Sequence, residues 1–263
     1  MIRPIAPSAL AAKVLFCDQM SDKPSAPPGI LEKLRTLDTC TVSNAIERLH
    51  VRLRNEGFVL GSVRCQFPNL PPMLGYAATA RIKTSFPPMT VRCYHDRTDW
   101  WEYVASVPGP RVIVVQDADQ VPGLGSFVGE VHAAIGLALN CVGYVTNGAV
   151  RDLQAVESLG FQLFAGSAAV SHSYAHIVEF GEPVEIGGLK ILPGDLIHGD
   201  RNGVHTIPLS IASEIPEVAA RIVCEERQLI EFCRSSGFSL RGLFERSQQT
   251  SCDGPDRPGK LHK

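Results

Sequence analysis

The sequence predicts an α/β fold in which parallel and antiparallel strands share packed sheet layers, and three observations predict it. Between residues 111 and 165, short β-branched apolar runs alternate with apolar residues at helical spacing, the pattern of a β-α-β-α-β unit with a partly parallel sheet. Beyond residue 180 the pattern changes to alternating stretches around tight turns, the signal of antiparallel hairpins. Of 263 residues, 44% are hydrophobic and 20% charged, which is enough apolar material to bury a substantial core.

The elements follow in order. Residues 1–28 lack periodicity, run into SAPPG (25–29) and read as a loose leader, so a single domain is expected over 29–246. RVIVVQDAD (111–119), bounded by Pro110 and Pro122, reads as a buried strand followed by the glycine-rich loop PGLGSFVG. Val131, Ala134, Ile135, Ala138 and Leu139 recur at helical spacing. VGYVTN (142–147) is strand-like, GAVRD reads as a turn, and Leu153, Val156 and Leu159 suggest a short helix before FQLFA (161–165). VEI-GG-LKI (184–191) is a hairpin signal, DRNG (200–203) a second turn, and Pro216 to Cys233 turns helical again. The tail from Ser247 is polar and punctuated by Pro and Gly, so residues 247–263 are expected to be disordered.

Charge and composition exclude several classes. Lys plus Arg number 25 and Asp plus Glu 27, a net charge of −2, so no concentrated basic face marks a nucleic-acid binder. Mean hydropathy is +0.05 and no apolar run is long enough to span a membrane. The eight cysteines form no CxxC pair, which points to a reduced compartment with the cytoplasm as default. A secreted disulfide framework and an acid-poor transit peptide are the alternatives. Cys141 and Cys224 lie in apolar periodic segments and are expected to be buried.

Chemistry concentrates where the parallel strands end. The loop from Gly123 to Gly129 separates a strand from a helix, so it is either a tight turn or a cradle in which helix-terminal N–H groups hold an anion. A dinucleotide site is disfavoured because GxGxxxG is not GxGxxG and the next strand ends in Asn147. Arg151 and Asp152 follow that strand and should lie beside the glycine loop. An arginine there can grip a carboxylate with two hydrogen bonds and an aspartate can hold Mg²⁺. The plainer alternative makes Arg151 a surface charge and Asp152 the N-cap of the next helix. His172 and His176 would share a face if helical, but the glutamate of HExxH is missing, so zinc is the lesser reading. His95, Asp96, Arg97 and Asp99 beside Trp100 and Trp101 form either a substrate lid or an ordinary surface loop. Asp195 and Asp200 sit in turns and are assigned structural roles.

Glu130, twenty further residues and then Arg151-Asp152 resemble the acidic-X20-Arg-Asp signature of the RraA-like family. The resemblance runs from about residue 34 to 233 and takes in LDTCTVSNAIERL, MLGYAATA, SFVGE, NGAVRD and PGDLIHGDRNGVHTIP. That family includes the 4-hydroxy-4-methyl-2-oxoglutarate / 4-carboxy-4-hydroxy-2-oxoadipate aldolases and the regulator of ribonuclease E activity A. The resemblance implies a compact β/β/α layered sandwich of the swivelling-domain type, assembled as trimers or hexamers. It also implies a divalent-metal-dependent lyase that cleaves a 4-hydroxy-2-oxo diacid to pyruvate, with oxaloacetate decarboxylation as a side activity. By the same resemblance Arg151 is the pyruvate clamp, Asp152 the ligand of Mg²⁺ or Mn²⁺, and Gly129 with the amides near Val131 and His132 the carboxylate cradle. Glu130 would hydrogen-bond metal waters or relay protons. The rival functions are a non-catalytic regulator that binds a ribonuclease or another protein partner, and a nucleotide-binding domain.

The chain departs from the family pattern at Asn44, where many relatives carry an acid, at Ala155, and in the longer, more aromatic stretch 86–104. In the C-terminal helix, Glu226 interrupts a stripe of Ala219, Ile222, Val223, Leu229, Ile230 and Cys233. Either its head group reaches water at the stripe's edge, or the stripe packs on another subunit and Glu226 completes the neighbour's site, as the resemblance implies.

Overall fold

The computed structural model describes residues 25–88 and 98–250. Helices α1 (Ile30–Arg35) and α2 (Thr39–Arg48) come first, and Asp38 caps α2 by accepting the Thr41 amide at 2.9 Å. Strand β1 (Arg64–Cys65), the long β2 (Met73–Lys83) and α3 (Thr98–Ser106) follow. The α/β unit is β3 (Arg111–Asp117), β4 (Ser126–Val128), α4 (Glu130–Ala138), β5 (Cys141–Thr146), β6 (Ala149–Val150), α5 (Leu153–Ser158), β7 (Gln162–Ala165) and β8 (Ser167–Ala168). The antiparallel part comprises β9 (His176–Phe180), β10 (Val184–Ile186), β11 (Leu189–Ile191), β12 (Leu196–Asp200) and β13 (Gly203–Ile207). Helices α6 (Ile215–Arg234) and α7 (Leu240–Thr250) close the described chain.

The main sheet has eight strands in the order β1-β7-β5-β3-β2-β12-β13, with β9 also on β2. Strands β2, β3, β5 and β7 run parallel, and the flanking pairings are antiparallel. One edge of β2 serves two partners, because β12 pairs Met73–Tyr76 and β9 pairs Ala80–Lys83. Period-two alternation sorts the side chains onto the two faces. Leu74, Tyr76, Ala78, Ile113, Val115, Tyr144 and Leu163 face a helical layer that includes Val42, Trp100, Ala133 and Val218. Ala77, Val112, Val114, Val145 and Phe164 face the opposite way, onto the β10–β11 hairpin through Val184, Ile186 and Ile191. Hairpin, sheet and helices make the expected β/β/α sandwich.

Several expectations are corrected. GAVRD is not merely a turn, because Ala149–Val150 form β6, and the glycine loop runs into β4 before its helix. Those short strands become visible only through their partners, since β4, β6 and β8 form a separate three-stranded parallel sheet. Asp99, Trp100 and Trp101 belong to α3, and Trp100 is fully buried against the rings of Tyr103 and Phe180, so this part is core rather than lid or loop. His95, Asp96 and Arg97 lie outside the described residues. Cys141 is buried as expected, but Cys224 is exposed because only the first half of α6 packs on the body. Helix α7 crosses residue 246, so the expected boundary before Ser247 falls inside a helix. The leader through residue 24 and the tail from 251 lie outside the described residues. Among the described residues no helix is long and apolar enough to cross a membrane.

Candidate active site at the carboxyl edge of the sheet

Each of β3, β5 and β7 leads from its carboxyl end into a strand of the small sheet, so three crossings converge on one edge. Pairing of Val128 with Val150, together with the Arg151 amide on the Val128 carbonyl at 3.2 Å, brings the start of α4 beside Arg151 and Asp152. The glycine loop and NGAVRD therefore meet as the sequence predicted.

Asp152 occupies the N-cap position of α5 but does not cap it. Its backbone is left-handed (φ 56°, ψ 36°) and its side chain turns away from its own helix. The Oδ2 atom accepts the Glu130 amide at 3.2 Å and lies 3.5 Å from Arg151 Nε. A strained backbone costs about 1–3 kcal/mol. The hydrogen bond to the Glu130 amide is exposed, so solvent screening holds its contribution to about 0–1 kcal/mol. It offsets part of the strain and fixes the carboxylate against the start of α4. Asp152 is therefore the N-cap of α5 in position, as expected, with its carbonyl accepting the Val156 amide at 3.0 Å, while its carboxylate serves α4 instead. The Arg151 and Asp152 side chains are 34% and 38% exposed, so both reach solvent where a ligand can approach.

Gly129 makes this approach possible. A β-carbon there would lie 2.3 Å from Asp152 Oδ2 and 3.1 Å from Arg151 Nε. The first-turn amides of α4 follow, in the region where a helix has no internal acceptors and carries the positive end of its dipole. Val131 is exposed, whereas the His132 side chain is buried between Trp101 and Phe127 with ring centroids 5.8 and 5.0 Å away. His132 can thus meet a ligand only through its backbone. Glu130 is exposed on the same first turn. The anion cradle does not extend over the whole glycine loop, because the Gly123 amide is already held by the Asp117 carboxylate at 2.8 Å.

Other candidates separate from this site. His172 lies in a loop and His176 begins β9, and each Nδ1 sits within 2.9 Å of a nearby carbonyl, so the shared helical face does not exist. Among the described residues no group of three or more His, Cys, Asp or Glu converges on a metal position. Asp195 and Asp200 are structural as expected: Asp195 accepts the Leu192 amide and Asp200 accepts Thr39 and Asn202. Glu226 is exposed on α6 and accepts from Asn44 Nδ2 at 3.4 Å. Val223, Ile230 and Cys233 of its stripe are exposed too, so the stripe packs on the body only as far as Ile222. Sequence reasoning passed over Asp117, whose only signal was an acid at the end of an apolar strand. It also passed over the buried pair His198–His205, joined Nδ1 to Nε2 at 3.0 Å across β12 and β13.

A three-layer sandwich with an arginine, an aspartate and a helix amino end gathered at its parallel edge defines a class: a layered α/β protein whose paired guanidinium and carboxylate sit at the start of a helix. The chain belongs to the RraA-like family, described as Aldolase/RraA, which matches residues 39–205. Over 146 residues it is 35% identical to a Halalkalibacterium halodurans protein named "Putative 4-hydroxy-4-methyl-2-oxoglutarate aldolase", covering 55% of this chain and 67% of that one. It is 31% identical over 147 residues to Protein DlpA of Legionella pneumophila, covering 54% of this chain but only 23% of that longer protein. Among solved structures, an uncharacterized protein from Pseudomonas syringae shares the fold with a TM-score of 0.64 at 24% identity, over 84% of this chain and all of that one. RraAS2 of Streptomyces coelicolor, titled an unusual member of the RNase ES inhibitor RraA family, shares it with a TM-score of 0.59 at 22% identity, over 81% and 99%.

Proposed function

We propose that this protein is a divalent-metal-dependent lyase that cleaves a 4-hydroxy-2-oxo diacid and releases pyruvate, with oxaloacetate decarboxylase activity at the same site. The observation that carries the reading is Asp152, turned by its left-handed backbone onto the amino end of α4 beside Arg151. The named Halalkalibacterium relative supports aldol chemistry.

The residues suit the substrate's parts. Carbon–carbon cleavage next to a 2-oxo acid leaves the electron pair on a pyruvate enolate, so negative charge grows on the former carbonyl oxygen. The Arg151 guanidinium provides a planar pair of donors for the oxo-acid end, and fixed donors of this kind stabilise developing charge without reorganising. First-turn amides of α4 would hold the substrate carboxylate, and Gly129 leaves room for Asp152 and Arg151 to lie beside them.

A hard cation fits the donor set. Asp152 Oδ1 takes no hydrogen bond among the described residues, leaving one carboxylate oxygen to ligate. Mg²⁺ and Mn²⁺ commonly accept one or two carboxylates and retain waters. When bound, such an ion supplies Lewis-acid stabilisation of oxyanion charge. Glu130, exposed on the first turn of α4, would hydrogen-bond waters of such an ion or relay protons. Glu226, exposed on a half-unpacked helix, is assigned to a neighbouring subunit's site in a homotrimer or hexamer. The non-catalytic regulator is the rival.

Pyruvate release from oxaloacetate, measured with Mg²⁺ and with EDTA, tests the proposal. Turnover should require the ion, and Asp152→Asn should abolish it while keeping the thermal midpoint, because asparagine also accepts a left-handed backbone. Undiminished turnover in EDTA would refute the metal assignment.

A further inference from the structure

Strands β3 and β5 stop pairing at Val115 and Thr146, just before the chain turns toward the site. One residue further, the Asn147 side chain takes over the role of a strand edge. Its Oδ1 accepts the Asp117 amide at 2.8 Å, and its Nδ2 donates to the Asp117 carbonyl at 2.9 Å. At neutral pH a carboxamide presents a donor and an acceptor side by side to match a peptide's own pair, which an ionised carboxylate cannot do.

Asp117 passes the connection onward. Asp117 is 2% exposed, and its carboxylate accepts the Gly123 amide at 2.8 Å and the Asp119 amide at 3.1 Å, so it holds the entry of the glycine loop. The neighbouring glycines permit the crowding. A β-carbon at Gly148 would lie 2.9 Å from Asp117 Cβ, and one at Gly166 would lie 2.4 Å from the Asn147 carbonyl oxygen. The third exit joins at the same point, since the Gly166 and Ser167 amides donate to the Gly148 carbonyl at 3.0 and 3.2 Å.

We propose that Asn147, acting through Asp117, is a positioning residue that sets the Arg151–Asp152 turn against the amino end of α4. It lies where the exits of β3, β5 and β7 cross, four residues before Arg151, and its partner grips the loop that delivers Gly129. The Glu130–Asp152 hydrogen bond reports the resulting alignment.

Residue-resolved amide hydrogen exchange on the full-length protein tests this without reference to activity. In Asn147→Ala the Gly123 and Glu130 amides should exchange at least about tenfold faster, while those in the first half of α6 stay unchanged. Unaltered exchange at Gly123 and Glu130 overturns the proposal. If the alanine variant fails to fold, Asn147→Ser, which keeps one hydrogen-bonding atom, carries the comparison.

A kinetic arm rests on the functional reading above. Loss of such a supporting contact typically lowers activity about 10- to 100-fold. That loss should fall on kcat rather than KM for oxaloacetate. Asn147→Asp offers two acceptors at neutral pH and should be as poor as alanine. It should regain rate relative to wild type as the pH is lowered, because a protonated carboxyl restores one donor and one acceptor. Absence of this rescue would also overturn the assignment. A wild-type protein that releases no pyruvate refutes the functional reading instead, and the exchange experiment then decides Asn147 alone.

Discussion

Gly129→Ala probes the site through one methyl group. The backbone at this position is extended (φ −140°, ψ −161°), which alanine adopts without strain, so any effect comes from the new carbon alone. That carbon would sit 2.3 Å from Asp152 Oδ2, and a carbon–oxygen contact relaxes to about 3.3 Å, so the carboxylate must retreat by about 1 Å. Asp152 is a partly exposed side chain that can move, so the loss of stability should stay below about 1 kcal/mol, the low end for an added methylene. For a domain of this size that is about 2–4 °C in the thermal midpoint. The catalytic geometry is less forgiving, since a misplacement of about 1 Å can cost on the order of 100-fold in rate. A coupled assay of pyruvate release from oxaloacetate should therefore show kcat/KM down about 100-fold with a nearly native melt. Gly160→Ala supplies the opposite split. Its φ of +72° strains alanine but nothing lies within 4 Å of the new carbon, so it should lower the melt and leave the rate alone. A Gly129→Ala enzyme within threefold of wild type would refute the close packing of Gly129 against the Arg151–Asp152 pair as a requirement of catalysis.

Arg151→Lys should lower kcat/KM by about 10²–10³, because a point charge cannot replace a planar fork of donors; a rate within threefold of wild type at low and saturating oxaloacetate would return Arg151 to the surface-charge reading. The buried pair His198–His205 should make the fold acid-labile. Burial lowers the His198 pKa to about 4 and that of His205 well below its ordinary 6.5, with His198 and Arg52 opposing the charge on His205 and Asp200 and Asp38 favouring it on His198. The unfolded chain therefore binds more protons than the folded one below pH 6.5, so this contribution is complete above that pH and is lost as pH falls from 6.5 toward 4. Urea midpoints across that window should fall more steeply for wild type than for His198→Leu/His205→Leu, and equal slopes would exclude the pair as the cause. Mixing inactive Asp152→Asn subunits with inactive Glu226→Ala subunits should restore part of the activity if Glu226 serves a neighbouring site; no recovery in verified mixed oligomers would remove it from the site.

Local periodicity determined much of this protein. The Gly187-Gly188 turn forces its hairpin because both residues adopt positive φ, 51° and 81°, whatever lies around them. The apolar spacing from Val131 to Leu139 and the β-branched run at 111–117 identify α4 and β3 in the same way, and the parallel order they imply puts Arg151 and Asp152 at the carboxyl edge of the parallel strands. Tertiary structure decided the rest, where the outcome depends on a partner distant in sequence. Strands β4, β6 and β8 are two or three residues long and exist only because each pairs with another, so no periodicity announces them. Trp100 reads as a surface aromatic until the rings of Tyr103 and Phe180 close over it. Asp152 reads as the cap of the helix that follows it, and only the approach of the Glu130 amide, delivered by a strand pairing across 22 residues, turns its carboxylate to the helix that precedes it. Sequence states which face a residue presents; register and crossing geometry choose what it meets there.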